Sequence, residues 1–118
     1  MKCNSSVVFE MKLANAPFEK IMSGKKDIEM RLLDDKRSQI QVGDVVIFQN
    51  NDDGREVVAE VIGLHLFPTF QEMYKAIYKT RLGYEEGETA NHEDMLRYYT
   101  LEKQRAFGVV GIELKVMV

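Results

Sequence analysis

Alternating apolar and polar residues predict two half-buried strands in the first third of the chain. Residues 7–13 and residues 27–32 each place apolar side chains at every second position. In the second segment, Glu29 and Arg31 share the face opposite the apolar one, because successive side chains of a strand point to opposite sides. The apolar positions are Val7, Phe9, Met11 and Leu13, then Ile28, Met30 and Leu32.

Three further strands are predicted downstream. Residues 45–48 and residues 56–66 flank segment 50–54, whose Asn, Asp and Gly residues favour a hairpin turn. Gly63 predicts a bulge in the return strand. The apolar residues 107–118 are predicted to form the last strand.

Helix signals lie between these strands. Residues 15–17 begin a short helix, and Gly24 ends it. Thr69 and Glu72 have the spacing of a capping box and predict a second helix. Asn91 is predicted to cap a third helix.

The resulting order, β-α-β-β-β-α-α-β, predicts an α+β fold. A tight hairpin between consecutive strands, with helices interposed, favours a small mixed β-barrel or a strongly curled sheet, flanked by two or three helices. A doubly wound fold would need regular β-α alternation, which is missing. With 118 residues and no linker-like stretch, residues 1–118 are expected to form a single domain.

The charge balance limits the partners of the chain. Sixteen Lys and Arg stand against 19 Asp and Glu, a formal net charge of -3. This excludes a polycationic nucleic-acid coat protein and argues against sequence-independent DNA binding, which needs many phosphate contacts. A local basic groove remains compatible with the composition.

Cysteine and histidine are too scarce for a metal site built from them. The chain has one cysteine, Cys3, and two histidines, His65 and His92, so we expect no disulfide framework, no metal and no cofactor. No apolar run reaches the roughly 18 residues of a membrane span, and the N-terminus lacks the apolar core of a signal peptide. We therefore expect a cytoplasmic protein without a membrane partner.

The densest group of charged side chains lies in residues 24–31. Lys25 and Lys26 follow the first helix, and Glu29 and Arg31 share a strand face. Such a group can hold a planar polar ligand or a phosphate, because Arg offers a fork of donors. The alternative is a solvated strand face with cross-strand ion pairs, each contributing less than ~1 kcal/mol.

Weaker signals have structural alternatives. Lys75, Lys79 and Arg81 either extend a cleft toward phosphates or form a solvated helix face. The acids of residues 85–94 lack the pattern of a calcium loop and are interpreted as a solvated loop. The tyrosines offer either a stacking platform for a base or ordinary core and rim packing; they are Tyr74, Tyr78, Tyr84, Tyr98 and Tyr99.

Three blocks of the chain together resemble the ASCH domain family. Residues 18–31 contain Gly-Lys-Lys-Asp-Ile-Glu-Met-Arg, residues 40–48 contain Val-Gly-Asp, and residues 107–114 read Phe-Gly-Val-Val-Gly-Ile-Glu-Leu. The resemblance implies a PUA-like β-barrel with a cleft that holds RNA or a nucleotide. It also implies that the ligand-binding residues are Lys25, Lys26, Glu29 and Arg31.

One ASCH branch, the bacterial 4-acetylcytidine amidohydrolases, is enzymatic. Its motif resembles Gly-Arg-Lys-Thr-Ile-Thr-Ile-Arg, and the resemblance implies Lys26, Glu29 and the later Glu88 as the catalytic positions of a hydrolase, with Glu29 as a base on a water. The catalytic Thr of that branch is replaced by Glu29 here. Glu29 removes the hydroxyl and pairs with Lys26, so the same hydrolytic mechanism does not follow directly.

Three functions remain open on the sequence. The leading hypothesis is a module that binds RNA or a modified nucleoside or nucleotide through Lys26, Glu29 and Arg31. The second is an amidohydrolase acting on an acylated nucleoside such as 4-acetylcytidine. The third is a protein-interaction adaptor without a small ligand.

Overall fold

The computed structural model describes residues 6–117, so Cys3 lies outside the described part. The order of elements agrees with the predicted β-α-β-β-β-α-α-β order. Short 3₁₀ turns lie at Arg37–Gln39, Lys79–Leu82 and His92–Arg97. The strands and helices are β1 (Val8–Leu13), α1 (Asn15–Met22), β2 (Ile28–Leu32), β3 (Val45–Asn50), β4 (Glu56–Phe67), α2 (Phe70–Ala76), α3 (Leu101–Phe107) and β5 (Val109–Val116).

All five strands form one mixed sheet in the order β1-β3-β4-β5-β2. β1 runs parallel to β3, and the other neighbours are antiparallel. The sheet curls into a half-barrel, which brings its two edge strands close enough for Arg31 Nη2 to donate to Lys12 O at 3.2 Å. The α+β, barrel-like fold predicted from the strand order is therefore confirmed.

The predicted bulge at Gly63 is also confirmed, because the register between β4 and β5 shifts between Val61 and Gly63. A Cβ atom at Gly63 would lie 2.8 Å from Glu113 Oε1. A side chain at Gly63 would therefore displace the Glu113 carboxylate, which lies 2.8 Å from His65 Nε2. The bulge helps β4 bend, as local irregularities of this kind do.

The curled sheet buries an apolar core on each face. Val110, Ile112 and Leu114 of β5 face the inside of the curl, where they pack with α1 and with β1, β3 and β4. Val109 and the apolar side chains of β2 face the other core, beneath α2 and the segment from residue 82 to residue 95. β5 is thus the strand that contributes to both cores.

Two predictions need correction: the helix after Asn91 and the start of the last strand. Asn91 caps a 3₁₀ turn, its side chain accepting from Glu93 N, and the α-helix that follows is α3, capped by Thr100. Phe107 is the last residue of that helix and not part of the last strand, which begins after Gly108 (φ +78°). Short apolar runs cannot distinguish a helical turn from a strand, which explains the error.

Thr69 takes the N-cap position of α2 but makes no capping hydrogen bond with its side chain. The buried Gln104 of α3 supplies the acceptor instead, and its Oε1 lies 3.0 Å from Phe70 N. A tertiary contact takes the place of the predicted capping box. The spacing of residues along the sequence does not reveal such a contact. No helix in the described range 6–117 is long and apolar enough to cross a membrane.

Asp44 ties the start of β3 to the preceding chain. This buried carboxylate accepts from Val7 N at 3.0 Å and from Gln41 N at 2.8 Å. Replacing Asp44 leaves both donors without these acceptors. Asp53 in the hairpin provides a control, because it is exposed and, among the described residues, its side chain bonds only to Arg55.

We expect Asp44→Ala to lower the free energy of unfolding by about 1.5–3 kcal/mol, the usual contribution of hydrogen bonds to a charged group. Asp53→Ala should cause a smaller loss, because water replaces its bonds. Urea unfolding of both variants measures the difference. Equal losses would show that Asp44 does not organise this turn.

Candidate functional site

A cleft of about 660 Å³ opens where the two edges of the curled sheet approach each other. Its size lies within the roughly 300–1,000 Å³ of typical small-ligand sites. The end of β1, α1, β2 and the segments around residues 82–84 and 94–99 supply its walls. The cleft therefore lies at the seam of the half-barrel, the place where the edge strands β1 and β2 approach each other.

Three charged side chains form the floor of the cleft. Glu29 Oε1 lies 3.0 Å from Lys26 Nζ, and Glu29 Oε2 accepts from Arg31 Nε at 2.7 Å. The exposed fractions of these side chains are 9% for Lys26, 6% for Glu29 and 13% for Arg31. We call this group the floor triad.

The floor triad is buried because of the register of β2. Glu29 pairs with Ile112 and Arg31 with Val110, and both partners belong to the core inside the curl. The alternative of a solvated strand face is therefore wrong, because the curl of the sheet turns this face inward. Lys26 also packs beneath the chain at Gly83, where a Cβ atom would come within 3.1 Å of the lysine stem.

The two cations stabilise the buried carboxylate. Burial alone would raise the pKa of Glu29, but Lys26 and Arg31 together hold that pKa below its ordinary value of 4.5. Burial would likewise lower the pKa of Arg31, and the Glu29 carboxylate raises it above its usual range. The triad is therefore a fixed row of cation, carboxylate and cation at neutral pH.

Four of the five candidate tyrosines line one wall of the cleft: Tyr74, Tyr84, Tyr98 and Tyr99. The ring of Tyr99 stacks on Phe70 with centroids 6.0 Å apart, which fixes its orientation. Tyr84 donates to Asp94 at 2.6 Å and shares a 2.9 Å hydrogen bond with Tyr74. Burial and the bond to Asp94 raise the pKa of Tyr84, so it stays a neutral phenol.

The cleft carries more positive than negative side chains, although the whole chain is acidic. Its five basic residues are Lys12, Lys20, Lys26, Arg31 and Arg97, against the acids Glu29, Glu88 and Asp94. The guanidinium of Arg97 lies 5.9 Å from the ring centre of Tyr98 at the rim. Lys12, Arg97 and Asp94 were missed by the sequence analysis, because only the fold brings them to the seam.

The remaining predicted site residues lie at different distances from the floor. Glu88 reaches the rim of the same cleft, where its carboxylate accepts from Glu85 N at 2.6 Å. Lys25 is exposed and lines a neighbouring groove of about 230 Å³, which shares Lys20, Gly83 and Tyr84 with the cleft. The structure thus brings Lys26, Glu29, Arg31 and Glu88 together and leaves Lys25 outside the cleft.

The basic stretch around residues 75–81 has structural contacts. Arg81 pairs with Asp27 through two 3.0 Å hydrogen bonds, and Lys79 Nζ donates to the backbone oxygens of Glu86 and Glu88. Neither side chain lines the cleft. Among the residues of the described range, no group of three His, Cys, Asp or Glu side chains has the geometry to hold a metal ion.

Comparisons with known proteins agree with this architecture. A family model for the ASCH domain matches residues 11–117. The structure of hypothetical protein PH0355 is 30% identical, with a TM-score of 0.80 over 94% of this chain and 100% of that chain. Protein PF0455 from Pyrococcus furiosus is also 30% identical, with a TM-score of 0.72 over 94% of this chain and 98% of that chain.

A more distant structure shares only the fold. The ASCH protein from Zymomonas mobilis is 12% identical, with a TM-score of 0.63 over 92% of this chain and 66% of that chain. No curated protein matches the chain.

We expect Lys26→Met to lower the free energy of unfolding by about 3–5 kcal/mol, because it removes one of two partners from a buried carboxylate. The neighbouring exposed Lys25→Met should change it by less than about 0.5 kcal/mol. In a Glu29→Gln background the loss caused by Lys26→Met should shrink, since no buried charge is left unpaired. Full additivity of the two changes in urea unfolding would show that Lys26 and Glu29 do not interact.

The lowered pKa of Glu29 also gives a pH dependence. A carboxylate whose pKa is depressed on folding contributes stability above its unfolded pKa of 4.5, and this contribution is lost as the pH falls through the folded pKa. Below pH 4.5 the wild type should therefore lose stability more steeply than Glu29→Gln. Parallel curves of unfolding free energy against pH would contradict this expectation.

Proposed function

The chain belongs to the ASCH domain family, and we propose that it binds single-stranded RNA or a modified nucleotide in the cleft above the floor triad. The observation that carries the proposal is the combination of a charged floor with an aromatic wall in one cleft. Planar tyrosine rings can stack on a base, and basic side chains can contact its phosphates. Each half of this combination alone would be a weak signal.

The charged groups of the cleft suit a short ligand. Lys12 and Arg97 are exposed and lie at the cleft, where they can contact phosphates. Arg31 donates from Nε to Glu29 and from Nη2 to Lys12 O, and its guanidinium also lies beside the Tyr99 side chain, which helps to raise its pKa. Arg31 thus links the charged floor to the aromatic wall. With a net charge of -3, the protein favours one or a few nucleotides over a long backbone tract.

Hydrolysis of an acylated nucleoside is the second candidate. The observation in its favour is that Lys26, Glu29 and Glu88 line one cleft. The ion pair of Lys26 with Glu29 weighs against it, because an ammonium engaged by a carboxylate has no lone pair with which to accept a proton. Incubation with 4-acetylcytidine separates the two candidates, since only the hydrolase releases acetate.

A protein-interaction adaptor has less support. A concave cleft lined by charged and aromatic side chains fits a small polar ligand better than a flat protein surface.

The test of RNA binding uses two tyrosines of similar exposure. Tyr98 is 64% exposed and lines the cleft, whereas Tyr78 is 59% exposed and lies outside it. We expect Tyr98→Ala to weaken binding of a short single-stranded RNA by roughly 5- to 150-fold, the range that corresponds to about 1–3 kcal/mol for one stacked base. Tyr78→Ala should leave the affinity unchanged.

Fluorescence anisotropy with a labelled RNA hexamer measures both affinities, and thermal unfolding verifies that both variants fold. An equal effect of the two substitutions on affinity would show that stacking on Tyr98 does not contribute to RNA binding. Absence of any binding of RNA or of nucleotides by the wild type would refute the proposed function itself.

A further inference from the structure

The floor triad presents a fixed order of hydrogen-bonding groups. Lys26 stands at one oxygen of Glu29 and Arg31 at the other, so the row reads donor, acceptor, donor. Lys and Arg side chains only donate, and an ionised carboxylate only accepts. Because the charges hold one another in place, none of the three groups can reverse its role as an amide side chain can.

The Glu29 carboxylate still has acceptor capacity. Lys26 Nζ lies 3.0 Å from its Oε1, and Arg31 Nε donates to its Oε2 at 2.7 Å. An ionised carboxylate has about four lone-pair sites, so these two partners leave part of its acceptor capacity unused. Glu29 is 5% exposed and lines the cleft, so a ligand N–H that enters with a small shift of Lys26 can use one of the remaining sites.

The small exposed fraction of the floor triad limits how a ligand makes contact. Exposed fractions of 9%, 6% and 13% favour contact with the edge of a planar ring over contact with its face. The faces of the ring are left for the aromatic wall, in which Tyr99 is held by its stacking on Phe70. The ligand that fits is therefore a flat heterocycle that enters edge first.

We propose that the floor triad selects a uracil-type base. The edge of such a base carries a ring N–H between two carbonyl oxygens. This order of acceptor, donor and acceptor is complementary to the donor, acceptor and donor of the triad. This inference rests on the proposed function and names the base that the cleft prefers. Cytosine and adenine place a bare ring nitrogen opposite Glu29, where two acceptors repel each other. Guanine has the ring N–H but turns an amino group toward one of the cations.

The lowered pKa of Glu29 supports this selection at neutral pH. A protonated carboxyl group could donate to the ring nitrogen of cytosine, whereas the ionised form cannot. A polar site rejects an analogue that leaves its buried group unpaired far more strongly than an apolar pocket rejects an extra methyl group.

The test compares hexamers of uridine, cytidine, 3-methyluridine and 5-methyluridine by fluorescence anisotropy with the full chain. The two methylated ligands are a matched pair, because each adds one methyl group but only 3-methyluridine loses the ring N–H. We expect uridine and 5-methyluridine to bind with similar affinity. Cytidine and 3-methyluridine should bind roughly tenfold or more weakly.

Two variants locate the selection in the protein. Glu29→Gln should reduce the preference for uridine over cytidine, because an amide can present either a donor or an acceptor. Tyr98→Ala should weaken all four hexamers while keeping their ratios, since stacking does not read the ring edge. The second variant keeps the test valid if Glu29→Gln does not fold.

Equal binding of 3-methyluridine and 5-methyluridine would overturn the selection of uracil and leave the proposed RNA binding intact. Failure of all four hexamers to bind would overturn both proposals.

Discussion

The buried carboxylate of Glu29 is the constraint on which the seam of this half-barrel depends. A carboxylate inside the curl of a sheet is costly unless opposite charges pair with it. Lys26 and Arg31 provide that pairing, and Arg31 also reaches the backbone of Lys12 on the other edge strand. One charged group therefore connects β2, β1 and the chain after α1. The position of the cleft follows from this connection, because the triad closes the space between β1 and β2 on one side and lines the cleft on the other.

Local patterns predicted the strands better than the helices of the second half. Alternation identified β1 and β2, and the Asn and Gly residues of segment 50–54 marked the hairpin, because these signals are properties of neighbouring residues. The cap of α2 could not be predicted in this way, since its acceptor is Gln104, 34 residues downstream. The 3₁₀ turn after Asn91 likewise depends on packing of Met95 into the core beneath α2.

The candidate site, like the fold, could be predicted from the sequence only where neighbouring residues determine it. Sequence spacing placed Glu29 and Arg31 on one strand face, and this is how they lie. Whether that face meets water or core depends on the curl of the sheet, which is a property of five strands together. The wall opposite the triad comes from residues 74–99, far away in sequence. The sequence around a single residue such as Arg97 does not indicate that it lies at the cleft. The excess of basic side chains in the cleft of an acidic chain is therefore seen only in the folded structure.

Stability alone does not account for the floor triad. Apolar side chains of similar volume often replace a buried ion cluster without loss and sometimes with a gain in stability. The seam between β1 and β2 already borders an apolar core, so Met or Leu side chains could close it as well. Apolar side chains, however, would leave the cleft with an aromatic wall and no polar groups that orient a ligand. A ligand that pairs with the triad would recover part of its burial cost and stabilise the folded chain by mass action. The recognition proposed above would account for the cost of burying three charges, since the groups that close the barrel also line the cleft.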